Sequence, residues 1–388
     1  MYRIPFSKVD CSGNELRYVQ DVLESGWLTT AGRALELETK FAEALGARFA
    51  CAVNSCTSAL HLALEAIRVG PGDKVLVPTM TFTATAEVIR YLDADPVFLD
   101  VEYGSSLLTP EIVDRGLKLY PEAKAVIVVH FGGQAAELMN ERGEGILDIC
   151  HRHGVRVIED AAHAYPTRHC GRFIGTFGDI TCFSFYANKT MTTGEGGMLV
   201  TNDEAIFHRV RVMRLHGIDR DIWNRFSTPK PSWEYDVVAP GYKYNMPDVN
   251  AAIGLAQMER AGSMRVAREH CARFYMDRLK GLSMIDVPLM HCQFRDHSWH
   301  LFPIILKSEA RHSRNEMIRL LAERGIGTSV HYKPLHRMTY YRERYGLRAE
   351  DFHNAERIWA GTFSLPIYSL LTETELEYIV TTLWELIA

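Results

Sequence analysis

A chain of 388 residues exceeds one ordinary hydrophobic core, so two domains are expected. Its 43 Lys and Arg against 48 Asp and Glu give a formal net charge of −5, which leaves no basic excess for neutralising nucleic-acid phosphates. Apolar content of 47% and charged content of 23% are those of a soluble globular enzyme, and no run of about 18 apolar residues offers a membrane span.

In chain order, residues 13–24 and 33–45 predict helices, followed by a short strand at 49–54. Residues 55–70 (SCTSALHLALEAIRVG) read as a loop running into an apolar helix that ends at GPGD. A strand at 74–78, a helix at 83–92, a strand at 96–101 and a helix near 110–118 come next. The pattern continues with a strand at 125–130, a helix at 144–153 and strands at 155–160, 179–185 and 196–201. Short β-branched runs alternating with helices imply an α/β fold with a mostly parallel sheet covered on both faces. Residues 218–240 are polar, aromatic and Pro-containing, and predict a long loop. A helical pattern over 246–281 follows, then a smaller α+β domain with a strand at 300–306 and helices at 313–324 and 373–387. The expected division is a large domain over 1–250, an interdomain helical segment over 251–281 and a small domain over 282–388.

The eight cysteines are scattered and none sits in a CxxC pair. MYRIPFSKVD has no apolar stretch of signal-peptide length, so free thiols in a reducing cytoplasm are expected. The 16 histidines form no HExxH and no closely spaced ligand pair on one helix face, and no metal site is expected.

The chemistry concentrates in two residues. Asp160 ends the apolar strand VIED, and twenty-nine positions on Lys189 lies in the Ser/Thr/Gly-rich string FSFYANKTMTTGEGG. Either residue alone reads as an ordinary strand-terminal acid or a solvated loop lysine. Together they are what pyridoxal phosphate requires: an amine to form a Schiff base with the aldehyde, and an acid to keep the pyridinium nitrogen protonated. A phosphate needs backbone N–H groups, hydroxyls and a positive helix end. Asn54-Ser55-Cys56-Thr57-Ser58-Ala59 supplies all three, although the string alone reads equally as an ordinary N-cap. Ser184 and the hydroxyls near Lys189 offer a second wall. Phe82, in PTMTFTATAEV after a strand, can stack on a flat ring, where a single aromatic taken alone reads as core. His163, three residues past Asp160, can contact a phenolic oxygen or support Asp160; a lone histidine there also reads as structural.

These residues carry a resemblance that runs nearly end to end. GWLTTAGRALELETKFAEALG (26–46), PTMTFTATAEVIRYLDADPVFLDV (78–101), VVHFGGQAAEL (128–138), VIEDAAHAYP (157–166), FSFYANKTMTTGEGGMLVT (183–201), GYKYNMPDVNAAIGLAQ (241–257), GIGTSVHYKPLH (325–336) and LPIYSLLTETELEYIV (365–380) are all long blocks. In them the chain resembles the DegT/StrS family of pyridoxal-phosphate-dependent nucleotide-sugar aminotransferases. The resemblance implies an aspartate-aminotransferase-like, type I fold and a homodimer with its two sites at the subunit interface. It implies Lys189 as the cofactor-linked lysine and proton shuttle, Asp160 at the pyridinium nitrogen, Phe82 on the ring and His163 near the phenolic oxygen. Thr57, Ser58 and Ser184 are implied to hold the phosphate.

The sequence departs from the family pattern at two places. Cys56 stands where the family often has glycine. Where the family often shows G-Y-N-x-R-M, this chain has Gly241-Tyr242-Lys243-Tyr244-Asn245-Met246. The family's asparagine reaches the neighbouring subunit's phosphate, and Lys243 can serve the same dianion as a point charge. A dehydratase subfamily carries histidine in place of the lysine, so Lys189 excludes that activity. The string KTMTTGEGG over 189–197 resembles members that aminate a C4 ketone more than those that act at C3.

The implied reaction moves nitrogen from an amino acid, glutamate foremost, to a 4-keto-6-deoxy sugar on a nucleotide diphosphate. Trp27, Thr30, His331, Tyr332 and the 218–240 loop are candidate substrate contacts, each equally readable as packing or surface. Two other readings stay open: a C3-ketosugar or keto-cyclitol aminotransferase, and a cofactor-binding regulatory protein without turnover.

Overall fold

The computed structural model describes residues 3–219 and 235–387. Of the 218–240 stretch, residues 220–234 therefore lie outside the described residues. Helices α1 (Glu15–Ser25) and α2 (Gly32–Leu45) open the chain. Both end at left-handed glycines, Gly26 and Gly46, where a side chain would be strained.

Seven strands then form one sheet: β1 (Phe49–Val53), β2 (Lys74–Pro78), β3 (Asp95–Leu99), β4 (Ala125–Val129), β5 (Arg156–Asp160), β8 (Ile180–Ser184) and β9 (Gly197–Thr201). A small hairpin, β6 (Arg168–His169) and β7 (Arg172–Phe173), lies outside it. The sheet order is β1-β9-β8-β5-β4-β2-β3. Neighbours from β8 to β3 pair in parallel, while β9 runs antiparallel to both β1 and β8. Helices α3 (Cys56–Ala66), α4 (Ala84–Tyr91), α5 (Pro110–Leu119), α6 (Ile146–Arg152) and α7 (Glu204–Met213) connect the strands. Crossover helices cover both faces, which explains why β4 reads AVIVV and is buried at every position. Its residues alternate between two cores. Val126 and Val128 join Leu37, Phe41 and Met198 on one face, and Ala125 and Ile127 join Val75, Val77 and Leu199 on the other.

The helical pattern over 246–281 is two helices, Asp248–Met258 and Ala261–Leu279. The break falls at Arg260, whose guanidinium is drawn to Asp10 at 2.6 Å. A second, antiparallel sheet of β10 (Ile285–Asp286), β11 (Phe302–Leu306) and β12 (Thr362–Leu365) carries a third core, including Tyr275, Trp299, Phe363 and Leu383. The helix Arg314–Glu323 starts at a capping box of Ser313 and Glu316, a local signal legible in the sequence. Helices Thr339–Tyr345 and His353–Gly361 and strand β12 were not anticipated, because their apolar residues are few and short-spaced. Residue 4 belongs to this third core. Ile4 is 1% exposed, donates its N–H to Gly325 O and accepts from Gly327 N. No described helix is long and apolar enough to cross a membrane.

Candidate active site

The carboxyl ends of β4, β5 and β8, the start of α4 and the first turn of α3 surround a cavity of about 450 Å³. Parallel strands place their ends on one edge of the sheet, and ligands bind at that edge. A second, more open hollow of about 640 Å³ lies by Tyr165, Arg168 and Arg265, away from Asp160 and Lys189, and it holds no group of comparable chemistry.

Asp160 is the last residue of β5 and is buried. Its Oδ2 accepts from Thr85 Oγ1 at 2.8 Å and its Oδ1 from Ala162 N at 3.1 Å. Thr81 Oγ1 lies 2.7 Å from Thr85 Oγ1, so the Thr-rich block after β2 fixes this carboxylate. Burial pushes the Asp160 carboxyl above its ordinary value, against the pull of these hydrogen bonds and of the Lys189 amine. Behind it, Glu159 is fully buried, accepting from Gly178 N and Thr181 Oγ1 and pairing with His130 Nε2 at 2.9 Å. His130 Nδ1 accepts from Ala136 N, so the ring's single proton sits on Nε2 and points at Glu159. The neighbouring strand ends are thereby held in register beside Asp160.

The first turn of α3 forms one wall. Ser55 is the N-cap: its hydroxyl accepts from Ser58 N at 3.0 Å. Ser58 Oγ donates to Asn54 Oδ1 at 2.6 Å, so this side chain closes the turn on itself, while Ser55 and Thr57 line the cavity. The backbone N–H groups of Cys56 and Thr57 belong to the unpaired first turn, at the positive end of the helix. Gly197, at the start of β9, runs against this turn. A Cβ there would lie 2.5 Å from Ser55 C and 2.6 Å from Cys56 N, so the GEGG string is packed where a side chain cannot go. Ser184, the last residue of β8, lines the same wall and accepts from Tyr186 N at 3.3 Å.

Lys189 hangs from the β8–β9 connection, which is braced by Thr193 N to Phe185 O and by Asn250 Nδ2 to the carbonyls of Thr193 and Glu195. Its side chain is half-buried by area because it opens on the cavity, yet its amine is enclosed by protein. Burial lowers the amine to about 8, with Cys56 and Asp160 opposing and Arg268 assisting. At that value about one amine in ten is neutral at pH 7, against about one in three thousand for an ordinary lysine. Beside it, Asn188 Oδ1 is buried with no partner among the described residues.

A ring cluster closes the far side. Gly132 N donates to His163 Nδ1 at 3.2 Å, which leaves the His163 proton on Nε2, 3.1 Å from Tyr332 Oη. Tyr332 lies 5.9 Å, ring to ring, from Phe82. His331 Nδ1 lies 2.9 Å from Ser364 Oγ. Burial lowers His331 to about 3 and His163 well below its usual value. Phe82 leaves 57% of its surface open, a large unused aromatic face at the cavity.

Of the residues singled out in the sequence, Asp160, Lys189, Thr57, Phe82, His163, Ser184, His331 and Tyr332 meet around this cavity. Ser58 sits behind its wall. Three lie elsewhere. Thr30 bonds Met246 O and accepts from Asn245 Nδ2, Trp27 is at the end of α1, and Lys243 is exposed with its Nζ 2.7 Å from Asn245 Oδ1. Sequence reading passed over Thr85, Asn188 and His300. Thr85 lay inside a block already marked, whereas His300 carries no local signal and reaches Lys189 across 111 positions.

The residues fit pyridoxal 5′-phosphate. A phosphate monoester suits the α3 turn with Ser55, Thr57 and Ser184, a buried acid awaits a pyridine nitrogen, and a depressed lysine suits an aldehyde. Comparisons agree. Residues 10–384 match the model of the DegT/DnrJ/EryC1/StrS aminotransferase family. The spore coat polysaccharide biosynthesis protein SpsC of Bacillus subtilis is 40% identical over 379 residues, covering 97% of this chain and 95% of that protein. The PLP-form of Spr1654 from Streptococcus pneumoniae superposes with a TM-score of 0.89 at 29% identity over all of both chains. Helicobacter pylori PseC, an aminotransferase involved in the biosynthesis of pseudoaminic acid, gives a TM-score of 0.89 at 25% identity, covering 100% of this chain and 99% of that one.

Proposed function

The chain belongs to the DegT/DnrJ/EryC1/StrS aminotransferase family, with pyridoxal 5′-phosphate as its cofactor, and from that premise we propose a sugar-aminating reaction. An amino acid, L-glutamate foremost, gives its nitrogen, and the acceptor is the C4 ketone of a 4-keto-6-deoxy sugar on a nucleotide diphosphate. The observation that carries this reading is the convergence of Asp160, Lys189 and the α3 turn on one cavity. The KTMTTGEGG string favours C4 over C3, and the names of SpsC and PseC tie relatives to sugar pathways.

Bound in this cavity, the cofactor supplies an aldehyde that accepts nitrogen and a ring that withdraws electrons from the adjoining carbon. The protein does the rest. Asp160 holds a proton at the pyridine nitrogen, and its threonine partners keep it aimed. Lys189, neutral in an appreciable fraction of molecules, moves the proton between carbon atoms within its reach. The α3 turn and Ser184 anchor the phosphate, and Phe82 covers the ring.

Two copies are proposed to share their sites. Phe82 and Tyr186 line the cavity yet leave 57% and 48% of their surfaces open, and Lys243 is exposed away from its own cavity, where a partner's phosphate can take it up. Sedimentation of the loaded protein as a monomer would remove this part. The cytoplasm suits the eight free cysteines. A panel of nucleotide-linked 4-ketosugars, 3-ketosugars and keto-cyclitols, assayed with glutamate, tests the reaction. Turnover on the 3-ketosugar alone would overturn the C4 assignment.

A further inference from the structure

His300 is a buried titratable group to which the proposed reaction gives no task. Its Nε2 lies 3.5 Å from Lys189 Nζ, and its ring stands 4.4 Å from that of His163. The segment that delivers it, residues 298–301, is fastened from both sides. Ser298 Oγ donates to His163 O at 2.6 Å, and Leu301 N donates to Gly132 O at 3.1 Å. Arg268, in the helix Ala261–Leu279, donates to Trp299 O and Ile367 O. Gly133 permits the approach: its φ is +106°, and a Cβ there would fall 2.0 Å from Ser298 Oγ. The FGG string thus brings a chain segment from 135 positions beyond His163 against the lysine.

His300 Nδ1 is buried without a partner among the described residues. A neutral imidazole carries one proton. Placed on Nδ1 it would be an orphaned buried donor, the rarer and costlier defect, whereas placed on Nε2 it leaves only an under-used acceptor. The Nε2 proton then faces the lysine amine, and only the neutral amine has a lone pair to receive it.

We propose that His300 is a positioning residue that holds the unlinked amine of Lys189 in its neutral form, aimed into the cavity, by donating from Nε2. The inference rests on Lys189 being the cofactor-linked lysine. It gives the amine a fixed resting place whenever it is not linked. The other groups facing that amine are Asp160 on β5, Cys56 on α3, and His163, His331 and Arg268 from their own segments. Of these, Asp160 and Cys56 favour the charged amine, and Arg268 disfavours it. Burial and the nearby amine keep His300 itself far below its usual value, so it does not compete as a cation.

The test uses the full chain stripped of cofactor. Lys189 is labelled with an amine-reactive ester across pH 6–10 and quantified by peptide mass spectrometry. His300→Leu removes the donor, and a hydrogen bond to the neutral form lowers an amine further, beyond what burial does. The labelling midpoint is expected to rise by about half a unit or more, slowing labelling at pH 8 about twofold. His300→Gln, which keeps an N–H near the same place, should return it toward the unaltered value. A midpoint in His300→Leu that is unchanged or lowered overturns the inference. Should that variant not fold, the ring-nitrogen NMR shifts of His300 in the unaltered protein decide: protonation at Nδ1 overturns it. Borohydride reduction of the loaded, unaltered protein keeps the two readings apart. No pyridoxyl group on Lys189 would sink the cofactor role itself, whereas its presence with an unmoved midpoint sinks only the role of His300.

Discussion

Replacing Gly197 with alanine tests how the phosphate turn is built. The new Cβ would lie 2.5 Å from Ser55 C, 2.6 Å from Cys56 N and 2.7 Å from Ser55 O, and all three are backbone atoms. Ordinary contact begins at 3.4 Å, so the two segments must part by about 0.9 Å. Strand β9 cannot be the one to yield easily, because Gly197 pairs with Val53 on one side and Ser184 on the other. The first turn of α3 moves instead. Overpacking of this kind costs about 1–3 kcal/mol of stability. A hydrogen bond to a charged group is worth about 1.5–3 kcal/mol, so losing one from the Cys56 or Thr57 N–H weakens cofactor binding about 10- to 100-fold. Equilibrium binding of pyridoxal phosphate, with thermal unfolding alongside, reads both effects. Gly262→Ala is the control: beyond its chain neighbours and its own helix backbone nothing lies within 4 Å of its Cβ position, and binding should not change. A folded Gly197→Ala protein with unaltered affinity would refute the assignment of this turn to the phosphate.

Lys189→Ala should retain cofactor by its phosphate yet lose turnover by about 10²–10⁴-fold, together with the visible absorbance of the lysine-bound form; retained turnover would contradict its role. Asp160→Asn should slow the amino-donor half-reaction about 10²–10³-fold with modest change in cofactor affinity, which stopped-flow absorbance resolves. Phe82→Ala should weaken cofactor binding by about 1 kcal/mol and leave the unfolding temperature nearly unchanged, since the ring is 57% exposed. Acid should destabilise the fold at mildly low pH. Burial lowers His61 to about 4 and His297 and His331 to about 3, so from pH 6.5 downward the unfolded chain binds protons that the folded chain refuses. Near pH 5 these three groups give a loss of about 4 kcal/mol per pH unit, offset in part by the raised Asp160 carboxyl. Denaturant midpoints at pH 7.5, 6 and 5 measure it, and equal midpoints would contradict the buried, neutral state of these rings.

The alternation of strands and helices was legible because each β strand of the large sheet is a short apolar run bounded by turn residues, as in AVIVV of β4. Asp160 and Lys189 were legible because their chemistry depends on local context: a strand end and a hydroxyl-rich turn. What local context cannot carry is a contact made by topology. His300 meets Lys189 only because Gly132 and Gly133 admit the 298–301 segment, and nothing within its own neighbourhood marks that meeting. Ser58 shows a subtler limit. The hydroxyl was visible, but its direction depends on Asn54, which accepts it and turns it from the cavity. The break at Arg260 has the same origin, for a helical pattern gave way to an ion pair with residue 10.

Ile4 has a consequence for the order in which the molecule can be completed. It fills the core of the second sheet and pairs with Gly325 and Gly327, more than 320 residues later. A ribosome adding about 5–20 residues per second makes those partners roughly 15–60 s after Ile4 is made. Until then the head of the chain has nothing to close upon, while the seven-stranded sheet already has all its strands by residue 201. All seven strands of the cofactor-bearing sheet are therefore synthesised before the segment that Ile4 joins, and a fragment beginning after residue 4 would leave that pairing with Gly325 and Gly327 unmade.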